Sequence, residues 1–133
     1  MGPTAIPAGL IDSDILIDAR NGVANAANFL ATQRAGAGLL VSVISCIELV
    51  AGCRNGRELV DLQQFLKQVT VVRVTAAISD RSFELVQLWF LSHGLQMADA
   101  LIAATALENG LTLFTRNVRY FQMIPGLVVI KPY

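Results

Sequence analysis

The segment from Met97 to Gly110, MADALIAATALENG, constrains the fold most, because its helical pattern is apolar on nearly every face. A helix without a polar face is normally buried on all sides. Its first turn nonetheless contains Asp99, and burial of a carboxylate is costly unless something compensates its charge. Two interpretations follow from this segment alone. Asp99 either complements the positive end of the helix dipole or faces a site that holds a cation.

Short strand patterns alternate with helical patterns along the rest of the chain. A first strand ends at Asp12, and further strand patterns cover residues 39–43, 70–74, 111–115 and 127–130. Helical patterns cover residues 23–34, 45–52, 57–68 and 77–93, and Ala27 and Phe90 are among the positions expected to pack inward. This alternation predicts an α/β fold in which helices cover both faces of a parallel sheet of about five strands.

Composition limits the class of protein further. With 133 residues the chain is predicted to form one domain over residues 9–133, after a flexible tail at residues 1–8. Ten basic and ten acidic residues cancel, so no general electrostatic attraction to nucleic acid is expected. Hydrophobic residues make up 54% and charged residues 15%, which suggests that a partner or a second copy covers part of the surface.

Location is predicted from what the sequence lacks. Its uncharged apolar stretches are too short to span a membrane, and the N-terminal residues lack the basic region of a signal peptide, so a cytoplasmic protein is expected. Cys46 and Cys53 are predicted to be reduced, buried residues, because on one helix they would be about 10 Å apart and could not form a disulfide.

Acidic and polar residues follow several strands of the predicted sheet. Asp12 ends the first strand, Glu48 lies about one helical turn after the second, and Asp99 opens the helix before the fourth. Thr115 to Asn117 directly follow that fourth strand. Ligand sites of open parallel sheets lie beyond the carboxyl ends of the strands, so one cleft is expected to hold all of these groups. All-oxygen ligands favour Mg²⁺ or Mn²⁺, which can activate water for phosphodiester hydrolysis.

Each of these residues also has a purely structural interpretation. Asp12 and Asp14 could be turn or helix-cap residues. Glu48 could be only the partner of Ser45 in a capping box, and Asn117 could be a turn residue. The joint placement of these groups, rather than any one of them, favours a metal site.

The sequence resembles PIN-domain proteins, specifically the VapC-type toxins of toxin–antitoxin pairs. The resemblance extends from Leu10 to Pro132 and rests on four motifs in order. They are LIDSDILID, SVISCIELVAG, MADALIAATALENG, and TLFTRNVRYF followed by IPGLVVIKP. It implies a three-layer α/β/α fold and an endoribonuclease that depends on Mg²⁺ or Mn²⁺.

By motif position, the resemblance implies that Asp12 and Asp99 are the principal metal ligands. Glu48 would be the third acid, binding the metal directly or through water. Thr115 would support the site from the strand end. Asn117 would stand where many members of the family have a fourth acid.

Other positions near this site depart from the family pattern or carry positive charge. Asp14 stands where the family often has Asn or Ser, and could add charge or cap a helix. Tyr120 stands where Asp or His is common, which puts a second metal in doubt. Arg116 and Arg119 are candidates for contact with RNA phosphates or with an acidic group of the antitoxin, and Arg54 and Arg57 are weaker ones.

The resemblance also implies a homodimer and an antitoxin of the VapB type whose C-terminal tail lies across the active-site groove. The main alternative is a catalytically weak or inactive PIN domain that serves as a binding module, which the neutral Asn117 and Tyr120 would suit. A signalling receiver domain is disfavoured, because no Asp follows the strand patterns at 39–43 and 70–74 to accept a phosphoryl group.

Overall fold

The structure of the chain is a computed structural model that describes residues 8–133. The predicted tail at residues 1–8 therefore lies, apart from Ala8, outside the described residues. The strands are β1 (Gly9–Ile11), β2 (Leu40–Ser42), β3 (Thr70–Val72), β4 (Thr112–Phe114) and β5 (Val129–Ile130). The helices are α1 (Ser13–Arg20), α2 (Ala24–Ala35), α3 (Val43–Ala51), α4 (Gly56–Leu66), α5 (Ala76–His93) and α6 (Met97–Glu108).

The five strands form one sheet in the order β3-β2-β1-β4-β5, and every neighbouring pair is parallel. The central strand β1 thus lies between β2 and β4, so the carboxyl ends of these three strands share one edge of the sheet. This edge is where a ligand site is expected in a parallel sheet.

Alternation along the strands divides the core into two halves. In β1 and β4, Leu10 pairs with Leu113, and both belong to the core on the α5–α6 side. The next pair, Ile11 and Phe114, belongs to the core formed with α1 to α4. Because successive strand residues point to opposite faces of a sheet, helices cover both faces. The predicted three-layer α/β/α architecture with a five-stranded parallel sheet is confirmed.

Helix α6 is buried as its sequence predicts. Ala100 and the consecutive residues 102–106 are all at most 1% exposed. Helix α5 is capped at its C-terminal end by Gly94, shortly before α6 begins. The φ of Gly94 is 68°, which is left-handed, and its backbone N–H donates to the carbonyl of Phe90 at 2.7 Å. Glycine adopts this conformation without steric cost, so the chain can end α5 sharply and return as α6.

Side-chain caps define where several helices begin. The side chains of Asn55 and Thr75 accept the backbone N–H groups of Glu58 and Ile78, at the starts of α4 and α5. Helix α3 begins at Val43, where the Ser42 hydroxyl accepts a backbone N–H at 3.1 Å. These residue types are favoured N-caps because their oxygens satisfy helix N–H groups that lack an intrahelical acceptor.

This start of α3 corrects one prediction. Ser45 and Glu48 do not form a capping box, because Ser42 is the N-cap and Ser45 already lies inside the helix. The strand predicted at residues 39–43 is therefore too long, and its last residue, Val43, belongs to the helix. Glu48 is consequently free of the capping role that competed with a functional one.

Two further packing predictions are wrong, and the prediction that both cysteines are buried is confirmed for Cys46 alone. Ala27 on α2 and Phe90 on α5, both expected to pack inward, are exposed. Cys46 is buried and Cys53 half-buried, and neither forms a disulfide. No helix within residues 8–133 is both long enough and apolar enough to cross a membrane.

Candidate active site

Asp12 links the sheet to the first helix. Its backbone N–H donates to the carbonyl of Phe114 at 2.9 Å, next to the β1–β4 pairing. One carboxylate oxygen accepts the backbone N–H of Ser13 at 2.8 Å, which makes Asp12 the N-cap of α1. The other accepts the hydroxyl of Thr115 at 2.8 Å. The side chain is only 5% exposed, so its orientation is fixed from both β1 and β4.

The environment of Asp12 opposes its ionisation. Burial raises the pKa of this carboxyl to about 7, and the neighbouring negative charges of Asp14 and Asp99 contribute to the rise. The hydrogen bonds from Thr115 and from the Ser13 backbone act in the opposite direction without cancelling it. A cation beside Asp12 would remove both the repulsion and much of the desolvation cost.

Asp14 connects α1 to the loop that follows β4. Its Oδ2 accepts the backbone N–H of Arg116 at 2.9 Å, and the Thr115 hydroxyl and the Asn117 amide each at 3.3 Å. Its Oδ1 accepts the backbone N–H of Ile15 at 2.8 Å. Burial raises the pKa of Asp14, although the hydrogen bonds from the Arg116 and Ile15 backbones lower it. The carboxylate thus fixes the loop while adding negative charge beside Asp12.

Asp99 on α6 and Glu48 on α3 complete the acidic group. Asp99 lies half-buried in the first turn of α6, where burial and then the charge of Asp14 raise its pKa. Glu48 is exposed on α3, and its pKa is raised first by burial and then by the charge of Asp99, while the Ser13 hydroxyl lowers it. Each of the four acids therefore interacts electrostatically with at least one other, and we call Asp12, Asp14, Glu48 and Asp99 the acidic site.

Within residues 8–133, the acidic site is not neutralised by a positively charged side chain in direct contact with it. In the described part of the chain, no Lys, Arg or His side chain lies within 4.0 Å of any of its four carboxylates. Residues 8–133 also contain no three Asp, Glu, His or Cys side chains gathered closely enough to hold an ion by themselves. The mutual repulsion of the four carboxylates is what a divalent cation would relieve, and a hydrated Mg²⁺ or Mn²⁺ ion can be held by few protein ligands because it keeps several of its waters.

Thr115 and Asn117 lie in the segment that directly follows β4, where their side chains contact Asp12 and Asp14. Thr115 is fully buried, and its hydroxyl accepts the backbone N–H of Asn117 at 3.0 Å while donating to Asp12. The Asn117 amide donates to Asp14 at 3.3 Å, so an acid from α1 lies beside the position where many members of the family have a fourth acid. Tyr120 lies on a short 3₁₀ turn and is half exposed.

The arginine candidates separate into two groups. Arg116 and Arg119 both lie in or next to the loop after β4 and are exposed. Arg54 and Arg57 instead form ion pairs with Glu58 and Asp61 of α4, at 2.9 and 3.6 Å. Arg116 lies beside the acidic site, because its backbone N–H donates to Asp14, whereas Arg54 and Arg57 pair with acids of α4.

Two residues near this loop were missed by sequence reasoning. Arg116 donates to Asp18 at 3.3 Å, and the Tyr133 hydroxyl donates to the same Oδ2 at 2.9 Å. The four-residue spacing of Asp14 and Asp18 places them on one face of α1 and could have indicated Asp18. Nothing in the sequence indicates that Tyr133 returns to this place.

Comparison with known proteins identifies the family of the chain. The family model for the PIN domain matches residues 10–126. Over 119 residues the chain is 35% identical to ribonuclease VapC10 of Mycobacterium tuberculosis, covering 89% of each protein. Over 120 residues it is 38% identical to ribonuclease VapC19 of the same organism, covering 89% of this chain and 95% of the relative.

A solved structure resembles the chain over nearly its whole length. A toxin–antitoxin complex from Klebsiella pneumoniae contains a chain that is 31% identical, with a TM-score of 0.78. The match covers 95% of this chain and 98% of that one. The chain therefore belongs to the PIN-domain family and, within it, to the VapC-type proteins.

Proposed function

We propose that the protein is a metal-dependent endoribonuclease that acts as the toxin of a VapBC-type toxin–antitoxin module. The observation that carries this proposal is the acidic site itself, four carboxylates at the carboxyl edge of the sheet with no Lys, Arg or His side chain of residues 8–133 within 4.0 Å. The similarity to proteins named ribonucleases favours catalysis over an inactive binding module. The names of the relatives indicate RNA as the substrate class. The oxygen atoms of the four carboxylates indicate a divalent metal ion such as Mg²⁺ or Mn²⁺.

Three of the acids would hold Mg²⁺ or Mn²⁺. Asp12 and Asp99 would be the principal ligands, and the exposed Glu48 would bind directly or through water. The bound ion would stabilise negative charge on the phosphate and lower the pKa of a water molecule. Thr115 would keep Asp12 oriented, and Asp14 with Asn117 would hold the loop after β4 against α1.

The test is cleavage of total RNA by the purified protein, free of antitoxin, in Mg²⁺, in Mn²⁺ and in EDTA. We expect discrete fragments with either metal and none in EDTA. Asp99→Asn should reduce cleavage at least about a hundredfold, because it removes a ligand charge and disturbs metal binding. Asp80→Asn, an exposed acid on α5, is the matched control and should cleave normally.

Two results would overturn the proposal. Folded wild-type protein that cleaves no RNA under any metal would indicate the inactive binding module. Cleavage that persists in EDTA and in Asp99→Asn would indicate a contaminant or a mechanism without the acidic site.

We also propose that the protein forms a homodimer through α5. Phe83 and Leu91 on this helix are 70% and 94% exposed, and Phe90, seven residues from Phe83, is 48% exposed. Exposed apolar patches of this kind commonly mark protein interfaces. Light scattering after size exclusion should give a dimer for the wild type and a monomer for Leu91→Glu. A monomeric wild-type protein would contradict this part.

A separate groove is proposed to bind the antitoxin. A cavity of about 700 Å³ lies among α1 to α4, with an apolar floor and a charged rim. Its floor includes Leu16, Leu30, Leu49, Leu62 and Phe65, and its rim includes Arg20, Arg54, Glu58 and Asp61. An amphipathic helix of a partner fits such a groove. Phe65→Ala, which shortens a half-buried side chain of the floor, should weaken binding of the cognate antitoxin in calorimetry, whereas Leu91→Glu should not.

A further inference from the structure

The Arg116 side chain is held between two residues that lie outside the acidic site. Its Nη1 donates to Asp18 Oδ2 at 3.3 Å, and its guanidinium carbon lies 4.7 Å from the centre of the Tyr133 ring. Tyr133 donates its hydroxyl to that same Asp18 oxygen at 2.9 Å. The ring is thus fixed at one end by Asp18 and supports the guanidinium with its face.

This arrangement leaves most of the guanidinium available. Arg has five N–H donors, and within residues 8–133 only Nη1 has a protein acceptor. The side chain of Arg116 is 38% exposed, so the remaining donors can reach solvent or a ligand. A cation stacked on an aromatic face retains its positive charge, and its planar fork matches the oxygens of a phosphate.

The backbone of Arg116 ties this cation to the acidic site. Its N–H donates to Asp14 at 2.9 Å, and Asp14 and Asp18 are four residues apart on α1. Both ends of Arg116 are therefore attached to the same face of one helix. The carboxylates of Asp18 and Asp14 also act on Tyr133. Both raise the pKa of its phenol, although burial raises it more.

We propose that Tyr133 is a positioning residue that holds the Arg116 guanidinium where it binds a phosphate of the RNA strand entering the acidic site. The proposal rests on the proposed function, since RNA is the substrate. The guanidinium would contact a phosphate that is not the one being cleaved, because Arg116 lies outside the four carboxylates. Phosphate contacts of this kind fix the register of a bound strand without reading its sequence.

The test measures binding rather than cleavage. Asp99→Asn protein keeps a labelled, short single-stranded RNA intact, so fluorescence anisotropy gives Kd over a series of KCl concentrations. Four changes are compared in that background: Arg116→Ala, Tyr133→Leu, Tyr133→Phe, and Arg116→Ala with Tyr133→Leu. Arg34→Ala, an exposed arginine near the end of α2, is the matched loss of one positive charge.

Arg116→Ala should weaken binding about tenfold, as expected for one charge-assisted hydrogen-bonded contact. It should also reduce the slope of log Kd against log salt by about 0.7, the contribution of one phosphate on a single strand. Tyr133→Leu should weaken binding several-fold alone but not further in the Arg116→Ala background. Tyr133→Phe retains the ring and should bind nearly as the parent does. In cleavage assays without Asp99→Asn, Tyr133→Leu should raise KM and leave kcat nearly unchanged.

The double-mutant comparison decides the positioning role, because independent residues contribute additively. Additive losses from Arg116→Ala and Tyr133→Leu, or a loss in Arg34→Ala equal to that in Arg116→Ala, would overturn the proposal. Tyr133→Gln, which keeps a donor for Asp18 without the ring, replaces Tyr133→Leu if that variant does not fold. Wild-type protein that cleaves RNA while Arg116→Ala binds it normally refutes this inference alone. The absence of any cleavage would refute the proposed function itself.

Discussion

Helix α6 begins in the acidic site and continues through the most completely buried part of the core, and its two parts are stabilised by opposite means. At its start, Asp99 is half-buried and repelled by the charge of Asp14. From Ala100 to Ala106 the helix is almost wholly enclosed by apolar neighbours. The same rigid element therefore carries a carboxylate whose charge opposes folding and the alanines that make folding favourable.

This difference between the two parts of α6 shows how the fold can hold a carboxylate whose charge is destabilising. Small residues allow α6 to approach its neighbours closely, and the dispersion attraction across this close packing stabilises the helix along its length. This packing fixes Asp99 at the edge of the sheet although its own environment disfavours its charged form. Substitutions in the two parts should thus change stability in opposite directions when no metal is present.

The largest effect on stability is expected from Ala103→Leu. Ala103 is fully buried, so the larger side chain has no space and should lower the free energy of unfolding by about 3 kcal/mol. Urea unfolding followed by circular dichroism measures this loss. The exposed Ala27→Leu on α2 is the matched control and should change stability by less than about 0.5 kcal/mol. Equal losses in the two variants would show that α6 is not packed as described.

The sequence was sufficient for this part of the molecule. The uniform apolar pattern of α6 predicts its burial, and the alternation of strands and helices predicts the parallel sheet. The predicted ends of the helices and strands are less accurate than the predicted helices and strands themselves. Val43 is β-branched, which favours a strand, but the Ser42 side chain begins the helix at that residue. Residue type alone places Phe90 in the core, whereas its exposure follows from where α5 meets α6, which local pattern does not encode.

The acidic site was predictable in its members but not in its connections. The rule that ligands lie beyond strand ends brought Asp12, Glu48 and Asp99 to one edge. The contact between Asp14 and Asn117 joins residues 103 apart in the chain. It depends on β4 lying beside β1, so no local spacing reveals it. The contact between Asp18 and Tyr133 could not be predicted for the same reason.

A substitution in the acidic site should have the opposite sign. In metal-free protein, Asp12→Asn should raise the free energy of unfolding by about 2 kcal/mol above pH 7, because it removes a buried charge. Folding raises the pKa of Asp12 from 3.8 to about 7. Asp12 therefore does not destabilise the folded protein at low pH, and it does so increasingly as the pH rises between these two values. The gain should therefore shrink toward zero near pH 4.

Urea unfolding in EDTA, repeated across this range of pH, measures the difference between Asp12→Asn and wild type. Asp80→Asn should show no such dependence, since this acid is exposed on α5. A gain that is the same at pH 4 and pH 8 would mean that the charge of Asp12 is not its cause. RNA cleavage by Asp12→Asn should be lost although the protein is more stable.

A smaller effect is expected from Mg²⁺ itself. An ion that binds only the folded protein at ten times its Kd stabilises it by about 1.4 kcal/mol. Wild-type protein should gain this amount, because the ion relieves repulsion among the four carboxylates. Asp12→Asn and Asp99→Asn should gain little, while Ala103→Leu should gain as much as wild type. Equal gains in all four proteins would indicate binding elsewhere.

The smallest effect on stability within the acidic site is expected from Glu48→Gln. Glu48 is exposed, so water screens its charge, and its interaction with Asp99 should contribute less than about 0.5 kcal/mol to metal-free stability. Cleavage should nevertheless fall about tenfold or more, since the acid would help to hold the ion. Comparison of urea unfolding with RNA cleavage in the same variant separates the two roles. A change of about 2 kcal/mol or more in metal-free stability would show that the charge of Glu48 is as costly as the buried charge of Asp12. The distinction between costly and inexpensive acids in this site would then be wrong.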